Sequence, residues 1–382
     1  MILKSNTGKQ KMLIFHPALT PYRIDQFNSL NEIYDLEVVF LFGKLWNFAI
    51  DQQNLEKECH YKISYLLNGP RYKGRLFRFG IYRKIKEVNP DVILGYEYSF
   101  TTQYLIFLKS VGLIKQKIGS SIDDSLDICM NVQSKTRKLI RDYSVKHLDF
   151  VVVMSEEVAR FYRNNFMFDE KQVIVSPILQ LPERLRKDPE KIESLGQDYI
   201  SKYSLTGKKV ILFVGRFIPE KALPLFIDTV APILAEWENV VLVLVGEGEQ
   251  KEMLSTLVKE KKLEGKVIFP GKFQAEELYG WYACASGFVL PSLSETFGAV
   301  VNEALIFGLT VLCSRYAGAS SLIHPGNGIL FNPSNSSDTR EKLQQYVDNL
   351  KPTGDVCLAA RPVLMDDQAQ NFIKEWGKLN YE

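Results

Sequence analysis

The sequence specifies an α/β protein with two doubly wound parallel sheets, one in each half of the chain. Three observations carry this. Short apolar runs, among them KMLIFHP (11–17), LEVVFLFG (36–43), KKVILFVGRF (208–217) and VVLVLVGEGEQ (240–250), read as buried strands. Helical patterns fall between them, and strands alternating with helices build parallel sheets. The rhythm breaks once, over the polar and charged stretch 178–208, which reads as a linker with one helical piece. A length of 382 residues is long for one domain and comfortable for two.

In the first half, Thr20-Pro21 opens a helix after the first strand, with Phe27 and Leu30 on its apolar face. NPDVILGYE (89–97) is a third strand, IKQKIGSSIDDSLD (114–127) a weaker one with a polar tip, and VIVSP (173–177) a last short one. HLDFVVVMSEEVARFYRNNF (147–166) reads as a strand, a Ser155 cap and a helix. Ligands of such sheets bind beyond the carboxyl ends of the strands. Those ends carry His16, Thr20, Tyr22, Arg23, Glu97, Asp123, Asp124 and Ser155. His16 suits a site role or a strand cap. Tyr22-Arg23 suits an anion or acceptor contact, and Arg23 equally suits a surface ion pair. Asp123-Asp124 suits a metal pair, a sugar-hydroxyl acceptor or plain turn chemistry.

The second half repeats the pattern. Strands at 208–217, 240–250, 266–273, 287–292 and 309–316 alternate with helices at 223–237, 251–263 and 275–286, and a last helix spans 366–379. Arg216 and Lys221 follow a strand and the Gly215 turn in an R-x4-K spacing, two cations placed to clamp a pyrophosphate. V-G-E-G-E (245–249) is a glycine turn that lets a ligand approach the backbone. SETFGAVVNEA (294–304) holds Glu295 and Glu303, eight positions apart. With a helix starting near Gly298, Glu295 stays in the preceding loop. Glu303 lies on the first turns, about 80° around the helix from the in-phase position. Loop and helix N-terminus present N–H groups and a positive dipole end to a phosphate or polyhydroxy ligand.

Composition is that of a soluble protein, 46% apolar and 24% charged. No apolar run approaches membrane-spanning length, and the first residues carry no secretory pattern. Five cysteines (59, 129, 284, 313, 357) are scattered without C-x-x-C pairing, which fits a reducing cytoplasm and argues against a zinc site. Residues 1–180 hold 25 Lys and Arg against 19 Asp and Glu; residues 181–382 hold 22 against 26. The basic excess lies in 61–88, where cations interleave with aromatic and aliphatic residues. That segment suits an anionic membrane surface or the solvent face of an ordinary helix. No nucleic-acid motif accompanies it.

The order of motifs in the second half, Gly215-Arg216-x4-Lys221, V-G-E-G, F-P-G-K-F and P-S-x-S-E-T-F-G-x4-N-E-A, resembles the retaining group 1 glycosyltransferases, family 4, of GT-B fold. The likeness is close over about 208–330 and looser in the first half, where T-P-Y-R-x3-F-N is similar. It implies two Rossmann-like domains facing an interdomain cleft: an acceptor domain at 1–183, a linker at 184–207 and a donor domain at 208–361. A C-terminal helix at 362–382 would then cross back to the first domain around Trp376. Arg216 and Lys221 would hold the donor diphosphate, and Glu295 the donor sugar with N–H groups around Thr296, Phe297 and Gly298. Glu303 would bind the ribose, Lys272 and Phe273 would lie along the base, and Gly246, Glu247 and Gly248 would border the nucleotide. The acceptor side would draw on His16, Thr20, Tyr22, Arg23, Asp123 and Asp124. This chain has His16-Pro17-Ala18-Leu19-Thr20 where many relatives carry a glycine pair, and Ser121 to Asp124 where many carry a histidine.

The resemblance further implies a hexosyltransferase-type enzyme that uses a UDP- or GDP-sugar, needs no obligatory metal and acts by front-side attack. Its acceptor would be a saccharide or lipid-linked saccharide, in surface polysaccharide or glycolipid synthesis. Its place would be cytoplasmic, peripheral at the inner membrane face. Two other readings stand beside this one: a GT-B epimerase or inverting transferase with a base such as His16 or Asp123, and a non-catalytic subunit that binds nucleotide or membrane and supports a partner transferase.

Overall fold

The structure, a computed structural model, describes residues 8–43, 52–72, 75–132 and 134–380. The chain divides into two compact units. Unit 1 comprises residues 1–180 and 367–382, and unit 2 comprises residues 181–366.

Unit 1 is built on seven parallel strands: β1 (Lys11–His16), β2 (Asp35–Phe40), β3 (Lys62–Tyr65), β4 (Val92–Tyr96), β5 (Lys117–Ile122), β6 (Phe150–Val153) and β7 (Val173–Val175). Their order is β3-β2-β1-β4-β5-β6-β7. β1 pairs in register with β2 from Lys11↔Asp35 to His16↔Phe40 and with β4 from Met12↔Val92 to Ile14↔Leu94. Helices cover both faces, so residues alternating in and out are buried alike; five of the six residues of β1, β2 and β5 are buried. One face is the core of Leu13, Phe15, Val39, Ile93, Ile118 and Val151.

Unit 2 repeats the design with six strands: β8 (Lys209–Val214), β9 (Val240–Val245), β10 (Val267–Gly271), β11 (Gly287–Leu290), β12 (Val311–Ser314) and β13 (Gly328–Phe331). The order is β10-β9-β8-β11-β12-β13, again parallel throughout. In both sheets the first strand is central and the chain winds away from it twice, in opposite directions.

Two regions refine the sequence reading. The helical piece expected within 178–208 is the helix Pro189–Lys202, which packs within unit 2. A Cβ on Gly196 would lie 3.1 Å from the Gly280 carbonyl oxygen, so two glycines let this helix and Ala275–Cys284 approach closely. Tyr199 then stacks on the buried Trp281 at 4.4 Å between centroids. The basic segment 61–88 is not one helix. It supplies β3, a short hairpin of Arg71–Tyr72 with Arg75–Leu76, and the helix Ile81–Val88. Lys73 and Gly74 and the side chains of 71–76, Arg75 included, lie outside the described residues. Lys62 and Lys84 pair with the buried Glu37 at 2.8 and 2.6 Å. Burial resists ionisation of Glu37, but these two cations and Ser64 hold its pKa below the usual value. Arg78 donates to the backbone carbonyls of Leu41 and Leu67, both at 2.8 Å. Arg83 remains exposed.

The helix Ala369–Gly377 belongs to unit 1. Phe372 and Trp376 are buried, the Trp376 indole donates to Ser176 Oγ (3.1 Å), and the Tyr34 hydroxyl donates to the Trp376 carbonyl (2.9 Å). Removing this indole opens a cavity and takes away one of the two donors to the buried Ser176 hydroxyl, the other being Gln26 Nε2. Trp376→Ala is expected to lower the unfolding free energy of unit 1 by about 3–5 kcal/mol. Ile373→Ala, at a 41% exposed position on the same helix, should change it by less than about 0.5 kcal/mol. Urea denaturation of the two variants checks the contrast.

Candidate active site

In unit 2, β9 flanks β8 on one side and β11 flanks it on the other, so a crevice opens outside the carboxyl ends of β8 and β11. The loop after β8 carries Gly215, Arg216 and Lys221; the loop after β11 carries Glu295, Thr296, Phe297 and Gly298. The loops are joined to their neighbours through backbone. Gly215 N–H donates to the Val245 carbonyl at 3.0 Å, Phe217 N–H to Glu247 at 2.9 Å, and Gly246 N–H to Gly271 at 2.8 Å. A Cβ on Gly246 would meet the Gly215 carbonyl oxygen at 1.9 Å, and one on Gly248 the Phe217 oxygen at 2.4 Å. The G-E-G turn is therefore required for packing, whatever ligand borders it.

The β11 loop is held just as closely. Leu293 N–H donates to the Glu220 carbonyl (2.9 Å), and Gly318 and Ala319 donate to the carbonyls of Glu295 (3.1 Å) and Phe297 (2.7 Å). Phe297 is buried, and Gly298 at φ 96° turns the chain into the helix Ala299–Ile306. Across the crevice the Lys221 ammonium pairs with the Glu295 carboxylate, both mostly buried. Arg216 is exposed, with no ion-pair partner among the described residues. Glu303 lies on the helix and accepts from the Tyr282 hydroxyl at 2.8 Å. Burial first, then the Glu303 charge, raises the Tyr282 pKa well above its ordinary value, which keeps the phenol a donor. Lys272 and Glu247 are exposed, while the Phe273 ring packs tilted against Tyr199 and Trp281 at 5.6 and 5.8 Å between centroids.

The equivalent edge of unit 1 holds the remaining candidates, and most are enclosed. His16 is buried against Phe27, Phe40 and Tyr96. Its Nδ1 donates to the Ala18 carbonyl at 3.0 Å, which leaves Nε2 bare. Burial, then the Arg23 charge, lowers its pKa to about 3, too weak for a general base at neutral pH. Arg23, also buried, donates to Gln26 Oε1 (2.5 Å) and to Asp123 Oδ2 (2.7 Å). The Tyr96 hydroxyl adds a second hydrogen bond to Asp123 Oδ2 at 3.1 Å. Thr20 is buried where its carbonyl accepts from Arg23 N–H, and Tyr22 lies beneath the Arg23 guanidinium at 5.8 Å. Asp124 is buried and paired with Arg137 at 2.6 Å.

Glu97, named in the sequence by its strand-end position, stands out, together with Arg137 and Tyr282, which the sequence did not single out. Glu97 follows β4 in the left-handed region at φ 52°, unusual for a non-glycine residue. Its Oε1 accepts from Asp123 N–H at 2.9 Å and its Oε2 faces Arg137 at 3.4 Å. Burial, with the charges of Asp124 and Asp123, raises the Glu97 pKa to about 8. Burial also raises that of Asp124, against the pull of Arg137. Position at a strand end was the one sequence signal for Glu97; Arg137 on a basic helix and Tyr282 inside an apolar one gave none. Among the described residues no cluster of His, Cys, Asp and Glu has the make-up of a metal site.

Comparison with known proteins gives this arrangement its class. Several likenesses span nearly the whole chain. A structure of Anabaena HepE in complex with UDP and glucose superposes with a TM-score of 0.67 over 96% of this chain and 95% of that one, at 16% identity. An uncharacterized glycosyltransferase of Methanocaldococcus jannaschii is 26% identical over 97% of this chain and 96% of its own length. A sulfoquinovosyl transferase of Arabidopsis thaliana is 33% identical over 40% of this chain and 29% of its own. The fold is GT-B and the chain is a glycosyltransferase. The family model of the glycosyl transferases group 1 matches its residues 197–353.

The raised Glu97 pKa sets a pH dependence. Between about pH 4.5 and 8 the folded protein keeps a proton that the unfolded chain releases, so stability falls as pH rises through that window. Glu97→Gln should remove this contribution. Its Tm should match wild type near pH 4 and exceed it at pH 8 by about 2–4 °C for each kcal/mol relieved. Thermal unfolding across pH 4–8.5 measures it.

Proposed function

We propose that this transferase moves a sugar from a UDP- or GDP-sugar, with retention of anomeric configuration, to a saccharide or lipid-linked saccharide acceptor in surface polysaccharide or glycolipid synthesis. The observation that carries this reading is the Lys221–Glu295 pair at the switch point of unit 2. Without ligand the two charges neutralise each other across the crevice. A donor would separate them: its diphosphate takes Lys221 together with exposed Arg216, and its sugar hydroxyls take Glu295. Glu303, oriented by Tyr282, would hold the ribose hydroxyls. UDP and glucose in the HepE structure are in keeping with such a donor.

In the reaction the bond from the anomeric carbon to the diphosphate oxygen breaks and a bond to the acceptor oxygen forms on the same face. The acceptor proton passes to the departing phosphate. Charge builds on that phosphate, so the protein's contribution is fixed cations and fixed geometry rather than a strong base. The depressed pKa of His16 accords with a mechanism that asks nothing of an imidazole base. We assign the enzyme a cytoplasmic place, peripheral at the inner membrane face, with 61–88 as its membrane contact; Arg83 and Lys86 are exposed cations there.

Lys221→Ala should lower kcat by about 10²- to 10³-fold, and Glu303→Ala should weaken donor binding by about 10- to 100-fold. Calorimetric titration with UDP- and GDP-sugars, with and without EDTA, reads donor identity and metal dependence; binding of one donor that EDTA leaves intact is expected. NMR of the product's anomeric proton reads stereochemistry, and an inverted product would move the assignment to an inverting transferase.

A further inference from the structure

The unit 1 residues that the sequence offered for the acceptor mostly hold one another. Space for a ligand lies beside them. A cavity of about 500 Å³ opens at the carboxyl ends of β1 and β4, with Glu97, Ser99, Gln103 and Arg137 among its polar walls and Leu41 and Phe42 among its apolar ones. A second cavity, of about 460 Å³, is bordered by Phe77, Phe79, Tyr82, Arg83 and Tyr104. Phe100 and Thr101 line both. Each volume is in the range of small-molecule sites.

The two cavities differ in chemistry. At the first, the Glu97 carboxyl group, the Arg137 guanidinium and the neighbouring hydroxyl and amide groups can accept from and donate to a polyhydroxy ligand. At the second, Phe77 packs on Phe100 at 3.9 Å between ring centroids, and Phe79 stands beside them 67% exposed, with Phe77 at 42% and Tyr104 at 39%. Arg78 is committed to backbone carbonyls, so the charge left at this end is that of exposed Arg83. Three exposed aromatics around one cavity exceed the scattered single apolar residues of an ordinary surface.

We propose that the two cavities form one groove for an amphipathic acceptor, with the sugar beside Glu97 and Arg137 and a hydrocarbon chain across Phe100 onto Phe77, Phe79 and Tyr104. This rests on the transferase reading and narrows its acceptor to a sugar carried on a hydrocarbon chain.

The probes are methyl and octyl β-D-glucopyranoside, both below micelle formation, titrated into the full-length protein. The octyl compound is expected to bind about tenfold or more tightly, from burial of its added methylenes. That preference should vanish in Phe79→Ser and in Phe77→Ser/Phe79→Ser, while Glu97→Gln should weaken both ligands alike. Phe79 is an exposed side chain, so its single variant keeps the test sound if the double variant fails to fold, which far-UV circular dichroism reports. Equal affinity for the two glycosides, a preference that survives Phe79→Ser, or no binding of the octyl compound at millimolar concentration overturns the proposal.

Sedimentation with phosphatidylcholine vesicles, plain or carrying a glucosyl diacylglycerol, separates the sources of such an acceptor. Retention on the glycolipid vesicles alone supports a membrane-held acceptor, and retention on neither, with octyl preference intact, supports a dispersed one. Equal retention on both makes the aromatics a general membrane face and overturns the assignment. UDP titration on the same samples keeps the two readings apart. Loss of donor binding strikes the transferase reading, whereas intact donor binding without chain-length dependence strikes the amphipathic acceptor alone.

Discussion

Each sheet grows outward in both directions from its first strand, and that placement constrains everything at its carboxyl edge. β1 and β8 have parallel neighbours on both sides, so the loops leaving them cannot spread sideways. They must rise over the sheet edge against loops from the adjoining strands. In unit 2 the consequence is backbone packed on backbone, close enough that a methyl group on Gly246 would collide with the Gly215 carbonyl. In unit 1 the same crowding encloses His16 and Arg23. A rigid edge of this kind fixes side chains without large motions of their own, which suits a site that works by preorganised charge.

The two edges use charge differently. In unit 2 the opposite charges of Lys221 and Glu295 come from different loops and pair directly, so a ligand carrying both phosphate and hydroxyls can replace the pair with two better-matched contacts. In unit 1 three carboxyl groups crowd two arginines. Arg23 is taken by Asp123, and Arg137 sits closer to Asp124 than to Glu97. Glu97 is therefore the carboxyl with the weakest compensation, and burial makes it the one that holds its proton longest.

Strands buried on both faces announce themselves as continuous apolar runs, and so β1, β2, β8, β9 and β11 were legible. Two of the four edge strands, Val173–Val175 and Val267–Gly271, were legible as well, and the other two were not. Lys62–Tyr65 and Gly328–Phe331 are four residues each and only partly buried, so neither pattern nor length separates them from loop. The helix Pro189–Lys202 reads as linker because its apolar face is narrow; its place is set by Gly196 meeting Gly280, a contact between residues far apart in sequence. At the site, motif spacing named Lys221 and Glu295 but not the bond between them. Strand-end position named His16 and Arg23 without foretelling that burial would turn one neutral and bind the other to Asp123. The left-handed backbone at Glu97 and the helix that delivers Arg137 to it are tertiary facts with no local signature.

A polarity gradient along unit 1 bears on how such a transferase gains rate. The proposed front-side displacement would offer the protein few handles on the reacting atoms: the nucleophile would be a neutral hydroxyl and the proton acceptor would belong to the donor. Rate must then come from holding the acceptor oxygen where the departing phosphate can reach its proton. Sugar hydroxyls alone give weak, exchangeable contacts with water as competitor. A hydrocarbon chain laid over Phe77, Phe79 and Phe100 is remote from the chemistry, does not compete for the carboxylates and gains free energy by leaving water. Binding energy from a part of the substrate that does not react can thus go into orienting the part that does. On this argument the exposed aromatics and the buried Glu97 belong to one device, in which the apolar end supplies affinity and the polar end supplies direction.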